Sequence, residues 1–429
     1  MRVRPGAASR AAAWLAGLLV LGSIARDARA QGRLLVPMDR AQENHLRAYG
    51  LVYQSIAAGE KAEWLLNYRA GAFLLPATEG VRRRAALMGV TVESLDGPAL
   101  ARLRLEIEGS NMEAVPLEKA PRIAVYTPPN SSPWDDAVTL ALEYAGIPYD
   151  RVWDREVLSD GLGGYDWLHL HHEDFTGQYS KFYLAYAGAA WLDEEVRRNE
   201  AVGREFGFAD VPALKKAVAR RIREYVQEGG FLFAMCTATE TLDLALAADG
   251  VDIAAAFADG TPVEPDAVAR MSWAETLAFR DAHLVLDPQV SAFSDIDGHG
   301  VNTPSRRPLG SFSLFDFSAK IDPVPAMLTQ SHERVLEDFY GLTTSFRENR
   351  IRPGVVVLAR EDDDHLVKYL HGNVGQGSFT FLGGHDPEDP QHLIGDPPTD
   401  LELFRHSPGY RLILNNVLYP AARKKALKT

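Results

Sequence analysis

Short apolar runs and stretches with a spacing near 3.6 alternate along this chain, the pattern of strands interleaved with helices. In the first third, Leu34–Val36 and Ala62–Leu66 read as strands. Gln42–Ala58 carries Leu46, Tyr49, Val52, Tyr53 and Ile56 at helical spacing and stops at Gly59. Val81–Met88 and Leu100–Ile107 read as surface helices around a strand at Val90–Val92. The polar, glycine-containing loop Asn67–Gly71 is either a ligand loop at a strand's carboxyl end or an ordinary strand-to-helix turn.

A second series starts after Lys119–Pro121. Ile123–Tyr126, Tyr149–Trp153 and Tyr165–Leu170 are expected strands, and Ser132–Asp135 starts a helix that runs to Tyr144. The amphipathic stretch Leu214–Val226 leads through Gly229 and Gly230 into the wholly apolar Phe231–Met235. Residues 250–350 are less regular, with strands expected at Phe279–Leu286 and Phe312–Ala319. Gly354–Ala359, Val367–Leu370 and Ser378–Leu382 are further strands, a glycine-rich turn precedes the last, and Tyr410–Val417 closes the chain as a helix. Strand–helix alternation of this kind predicts an α/β protein with a mostly parallel, flavodoxin-like sheet and a smaller N-terminal α/β unit. The divisions expected are residues 1–30, 31–118 and 119–429.

Residues 1–30 are not read as fold. Arg2, Arg4 and Arg10 precede the apolar run Ala11–Ile24, and Ala28-Arg29-Ala30 is a small-x-small cleavage pattern. This is a signal peptide, too short for a comfortable membrane span, and it predicts an exported, periplasmic or secreted protein with no membrane span after cleavage. Loss of its five Arg and one Asp takes the formal charge from −13 to −17. Such an acidic chain excludes nucleic acid as an expected partner and leaves a small-molecule substrate; the sequence does not specify an oligomeric state.

The only cysteine, Cys236, follows the Phe231–Met235 run directly. A strand, a sharp turn and a helix with a nucleophilic side chain at the turn make a nucleophile elbow, and a helix N-terminus there favours a thiolate. The other reading of a lone cysteine is a small buried apolar residue. His385 follows Ser378–Leu382 after two glycines, and Glu388 lies three residues further on. Cys236, His385 and Glu388 have the chemical types of a nucleophile, its base and the base's orienter. In Tyr165–Gln178, alternation puts His169 and His171 on one strand face, with His172, Glu173 and Asp174 at its end. These residues either line a pocket beside Cys236, hold a divalent ion, or have unrelated roles.

With these motifs in hand, the chain resembles the class I glutamine amidotransferase-like superfamily, in which an elbow Cys and a late His and Glu occur in this order. Here the late motif reads His-Asp-Pro-Glu, with one extra residue, and Ala234 and Ala238 stand where that family has glycines. The ThuA-like branch, associated with trehalose and other sugar utilisation, is a closer likeness. Its late Gly-His-Asp-Pro resembles Gly384–Pro387, and its central motif resembles Gly229-Gly230 and Cys236–Glu240. Proteins of that branch generally carry His at the elbow. The whole chain is also similar to exported bacterial proteins labelled asparagine synthetase B, yet it lacks an N-terminal Cys after processing and any serine-flanked pyrophosphate loop. The resemblance implies a hydrolase or amidotransferase-like enzyme on a small amide, ester or sugar-derived substrate. Its catalytic residues would be Cys236, His385 and Glu388, and its substrate-binding residues His171, His172, Glu173, Thr237 and Asp386. No resident metal or cofactor is implied. The alternative is a ThuA-like sugar- or ligand-binding protein with a degenerate site.

Overall fold

A computed structural model describes residues 32–129, 136–177, 183, 186–259, 261–290, 292–299, 310–361, 366–389 and 397–423. The expected signal peptide, the helix start at Ser132–Asp135 and the tail from Lys424 lie outside the described residues. Two sheets form the frame. The smaller holds β1 (Arg33–Val36), β2 (Ala62–Leu66), β3 (Ala72–Pro76), β4 (Glu93–Leu95) and β5 (Glu113–Leu117) in the order β4-β1-β3-β2-β5, with every pair antiparallel. The larger contains β6 (Ile123–Tyr126), β7 (Asp150–Val152), β8 (Trp167–Leu170), β9 (Phe231–Met235), β10 (Ser311–Leu314), β11 (Val335–Glu337), β12 (Phe346–Arg347), β13 (Val356–Glu361), β14 (Leu366–Val374) and β15 (Gly377–Leu382). Its order is β11-β10-β13-β14-β15-β9-β8-β6-β7, with β12 beside β14.

This larger sheet is mixed, which corrects the expectation of a mostly parallel one. The strands β7, β6, β8, β9 and β15 run parallel. From β15 outward, β14, β13, β10 and β11 pair antiparallel. The reason is local. Only Gly375 and Gln376 separate β14 from β15, and Gly375 has φ +60°. A two-residue connection can join only antiparallel neighbours, whereas a parallel pair needs a crossover.

Alternation along the strands builds the layers. Phe231, Phe233 and Met235 of β9 share one apolar cluster with Ile123, Val125, Trp167 and Leu382. That cluster also takes in the helices His45–Ala57, Ala137–Ala145 and Pro408–Leu418 and one face of the small sheet, through Leu34, Val36, Trp64 and Phe73. Leu232 and Ala234 point the other way, into a second cluster with Val218, Ile222 and Val226 of helix Val211–Gln227 and Leu242 and Leu246 of helix Ala238–Ala247. The outer face of the small sheet is covered by Leu103 and Ile107 of helix Gly97–Gly109. The result is helix, small sheet, shared helices, large sheet, helices. Each fully buried large side chain in these layers contributes about 1.5–3 kcal/mol.

Several elements differ from the sequence reading. The loop Asn67–Gly71 joins β2 to β3 as a hairpin, so it is neither a strand-to-helix turn nor the carboxyl edge of a parallel sheet. Asn67, Arg69 and Ala70 hold positive φ there, and Gln330 pins Asn67 by accepting from its amide at 3.0 Å and donating to its side chain at 2.8 Å. The expected strand Phe279–Leu286 reduces to two isolated bridges, Phe279–Ile351 and Leu284–Ser294. The strand in Val90–Val92 is shifted to Glu93–Leu95, and the helix at Ala190–Phe206 has no counterpart in the sequence reading.

Candidate functional site

The parallel register fixes where the candidate residues meet. Leu170 lies opposite Ala234, and Leu382 opposite Met235, so β8, β9 and β15 end level with one another. Open α/β sheets gather ligands at this carboxyl edge. Three loops are then tied by backbone bonds. The Cys236 amide donates to the Gly384 carbonyl at 3.1 Å, and the Ala238 amide to the His171 carbonyl at 3.0 Å. Cys236 itself has φ +50°, and helix Ala238–Ala247 begins two residues later. A left-handed non-glycine residue at a strand-to-helix turn is the backbone of an elbow.

The two glycines before His385 have a steric reason. A Cβ on Gly383 would lie 2.1 Å from the Thr344 carbonyl oxygen, and one on Gly384, at φ +93°, 2.4 Å from that of Phe339. The Gly384 amide donates to Thr343 at 2.9 Å and the His385 amide to Tyr340 at 2.9 Å. The late loop is thereby laced to residues 339–344.

Cys236 is 1 % exposed. Burial pushes its pKa up, opposed by the backbone amides of Leu342, Thr237 and Thr343 and by the Thr237 side chain. Thr237 is buried beside it. Glu240, one helical turn on, accepts from Ser294 at 2.5 Å and from Thr343 at 3.0 Å, so the same helix anchors the loop that faces the thiol.

Imidazoles dominate the remaining space. His171 and His385 have ring centroids 4.3 Å apart, His171 and His172 5.4 Å, and His172 and His385 6.1 Å. His171 and His385 are buried and His172 is half-buried. Behind His171 stands Asp136. Its carboxylate is 3.2 Å from His171 Nδ1 and 3.2 Å from His169 Nε2, and it caps helix Ala137–Ala145 by accepting from the Val138 amide at 2.7 Å. His169 turns its other nitrogen to the Phe233 carbonyl at 3.0 Å. Burial alone would raise the Asp136 pKa; the two imidazoles outweigh it and hold it well below the usual carboxylate range. With Nδ1 committed to Asp136, His171 presents Nε2, which is buried and has no hydrogen-bond partner.

Glu173 accepts from the His171 amide at 2.9 Å. Burial, with the nearby Asp136 charge, pushes its pKa up to about 8, so it holds a proton at neutral pH. His172 and Glu173 line a cavity of about 50 Å³ with Trp153, Trp191, Glu195 and Lys215; neither Cys236 nor His171 borders it. The expectation of one cavity shared by His171, His172, Glu173 and Cys236 is thus met only for His172 and Glu173. Lys215 at this wall is paired with buried Asp154 at 2.7 Å.

Glu388 and Asp386 serve the chain beyond the site. Burial pushes the Glu388 carboxyl up, opposed by a hydrogen bond with Ser407. Asp386 accepts from the Glu388 amide at 2.9 Å and from Thr399 at 2.8 Å. The structure therefore brings Cys236, Thr237, His171, His172, Glu173 and His385 to one edge, and directs Glu388 and Asp386 to Ser407 and Thr399. Asp136 escaped the sequence reading. Its signal was its place as N-cap just before the apolar run of helix Ala137–Ala145, which the sequence alone placed nearer Ser132.

The fold defines a mixed α/β protein. No family model matches the chain, and no curated protein does. Among solved structures, it is similar to cytoplasmic protein STM3548 of Salmonella typhimurium at 12 % identity and TM-score 0.35, covering 71 % of this chain and 100 % of that one. A candidate GMP synthase protein of Thermoplasma acidophilum matches at 10 % identity and TM-score 0.33, over 70 % of this chain and 94 % of that one. A Bacillus circulans β-galactosidase matches at 12 % identity and TM-score 0.26, over 67 % of this chain and 31 % of its own. Likeness this low carries no argument about activity. Among the described residues, no helix is long and apolar enough to cross a membrane.

Proposed function

We propose that this chain is an exported hydrolase of small amide, ester or sugar-derived molecules, with its reactive centre at the histidine cluster. One observation carries the reading: a buried carboxylate, Asp136, orients His171 and leaves its second nitrogen unpartnered and facing His385. A water held there gives its proton to the cluster while its oxygen bonds to the substrate carbonyl or anomeric carbon. The bond to the leaving group then breaks. Protonated Glu173, at the wall of the adjoining cavity, supplies the leaving group's proton. Trp153 and Trp191 with Glu195 and Lys215 give that cavity the mixed aromatic and polar surface that suits a small hydroxylated molecule. The signal-peptide pattern of residues 1–30 supports export. The order of elbow Cys and late His supports a place among glutamine amidotransferase-like, ThuA-like proteins.

A second reading, thiol attack by Cys236 with His385 as base, is favoured by the left-handed φ of Cys236. Against it stand the buried sulfur and its raised pKa. A panel of chromogenic esters, anilides and glycosides separates the two. His385→Ala and His171→Gln should each lower the rate at least ~10²-fold, and Cys236→Ala less than tenfold. Abolition by Cys236→Ala would move the reaction to the thiol. No turnover of any class by the wild type would favour a ligand-binding protein.

A further inference from the structure

We propose that His171, His172 and His385 bind one divalent transition-metal ion of the zinc type. One ligand atom from each lies within 4.8 Å of the others. A tetrahedral ion with bonds of about 2.0–2.1 Å holds imidazole nitrogens roughly 3.3 Å apart, so small side-chain rotations close the cage. The set is three imidazoles, which suits zinc, cobalt, nickel or copper and disfavours the oxygen-seeking magnesium and calcium.

The atom His171 offers is fixed by its surroundings. Nδ1 sits 3.2 Å from Asp136, so Nε2 keeps its lone pair, buried and without a hydrogen-bond partner. A carboxylate behind a ligating histidine is the arrangement that sets tautomer and ring orientation in metal sites. The neighbouring set Asp136, His169 and His171 also clusters. Its atoms are already spent on one another and on the backbone: Asp136 on His169, His171 and the Val138 amide, and His169 on Phe233. It supports the cage and is not itself one. The ion's fourth position faces the half-buried His172 side, next to the cavity lined by His172 and Glu173. A bound ion would lower the pKa of a water at that position.

This inference rests on the proposed function only for the use made of the ion, and binding is read without any substrate. The full-length protein is stripped with chelator and titrated with cobalt(II), then with zinc(II). Visible d–d bands should saturate at about one equivalent and disappear on addition of zinc, and zinc should raise the melting temperature. His172→Gln, at the half-buried ligand, should abolish the bands, and Asp136→Asn should weaken affinity about 10–100-fold with the ligands intact. Cys236→Ala should leave the spectrum unchanged, whereas loss of an intense sulfur-to-cobalt band would make the thiol a ligand and overturn the three-histidine set. Absence of saturable binding, or full binding by His172→Gln, would also overturn it. Metal-free protein that hydrolyses substrate through His171 would refute the ion and leave the hydrolase standing; saturable binding without turnover would do the reverse.

Discussion

Gly384→Ala tests how the late loop positions His385. Gly384 has φ +93°, and an added Cβ would lie 2.4 Å from the Phe339 carbonyl oxygen and 2.6 Å from the Phe339 ring. An L-residue at positive φ costs about 1–2 kcal/mol. Forcing the Cβ and the Phe339 carbonyl apart by several tenths of an ångström adds about 1–3 kcal/mol of overpacking strain. Gly354 is an internal control: its φ is +90°, and nothing lies within 4 Å of an added Cβ. Gly354→Ala therefore carries the backbone term alone. In urea unfolding followed by tryptophan fluorescence, Gly384→Ala should fall below Gly354→Ala by about 1–3 kcal/mol, a midpoint difference of roughly 0.5–1 M for a slope of about 3 kcal/mol/M. Gly384 also accepts from the Cys236 amide and precedes His385, so the same variant should lose cobalt affinity or turnover while Gly354→Ala keeps both. Equal stability of the two variants would show that the contact with Phe339 does not constrain the loop.

Lys368 and Asp338 form a fully buried pair at 2.6 Å, and Lys368 also donates to the carbonyls of Phe339 and Thr344. Lys368→Met should destabilise by about 3–5 kcal/mol, and the double variant with Asp338→Leu should recover much of this, as read by urea midpoints. His45 is buried beside Arg411, His332 and His406; burial first, then these neighbours, lower its pKa to about 3. Its unfolded value is about 6.5, so its contribution to stability is present above that pH and is lost as pH falls toward 3. Between pH 7 and pH 5 the wild type should lose up to about 2 kcal/mol through this group. His45→Gln should show a correspondingly flatter dependence, and an unchanged dependence would assign the acid sensitivity to other groups.

Much of the central architecture was legible because it follows period-two and period-3.6 patterns. Phe231–Met235 and Ala62–Leu66 are strands with the very ends their apolar runs suggest, and the helix read at Tyr410–Val417 spans Pro408–Leu418. The sheet's direction was misread although its signal was present: the turn at Gly375–Gln376 is too short for a crossover. β3 was missed because its five residues follow a loop whose left-handed residues, Asn67, Arg69 and Ala70, are not the usual turn formers apart from Asn. At the site, sequence alternation put His169 and His171 on one face, and the structure places Nε2 of one 3.3 Å from Nδ1 of the other. Asp136 could not be assigned to them, because 33 positions separate it from His169 and only the parallel pairing of β6 and β8 brings the helix after β6 over the end of β8. The Leu342 and Thr343 amides at the thiol carry no side-chain signature at all.

The chemistry of this edge is assigned to three imidazoles rather than to the thiol. An anomalous difference map, collected at the zinc absorption edge from crystals grown with zinc, tests that assignment directly. One peak is expected about 2.0–2.1 Å from a nitrogen of each of His171, His172 and His385. No peak at this edge, or a peak on the sulfur of Cys236, would contradict it.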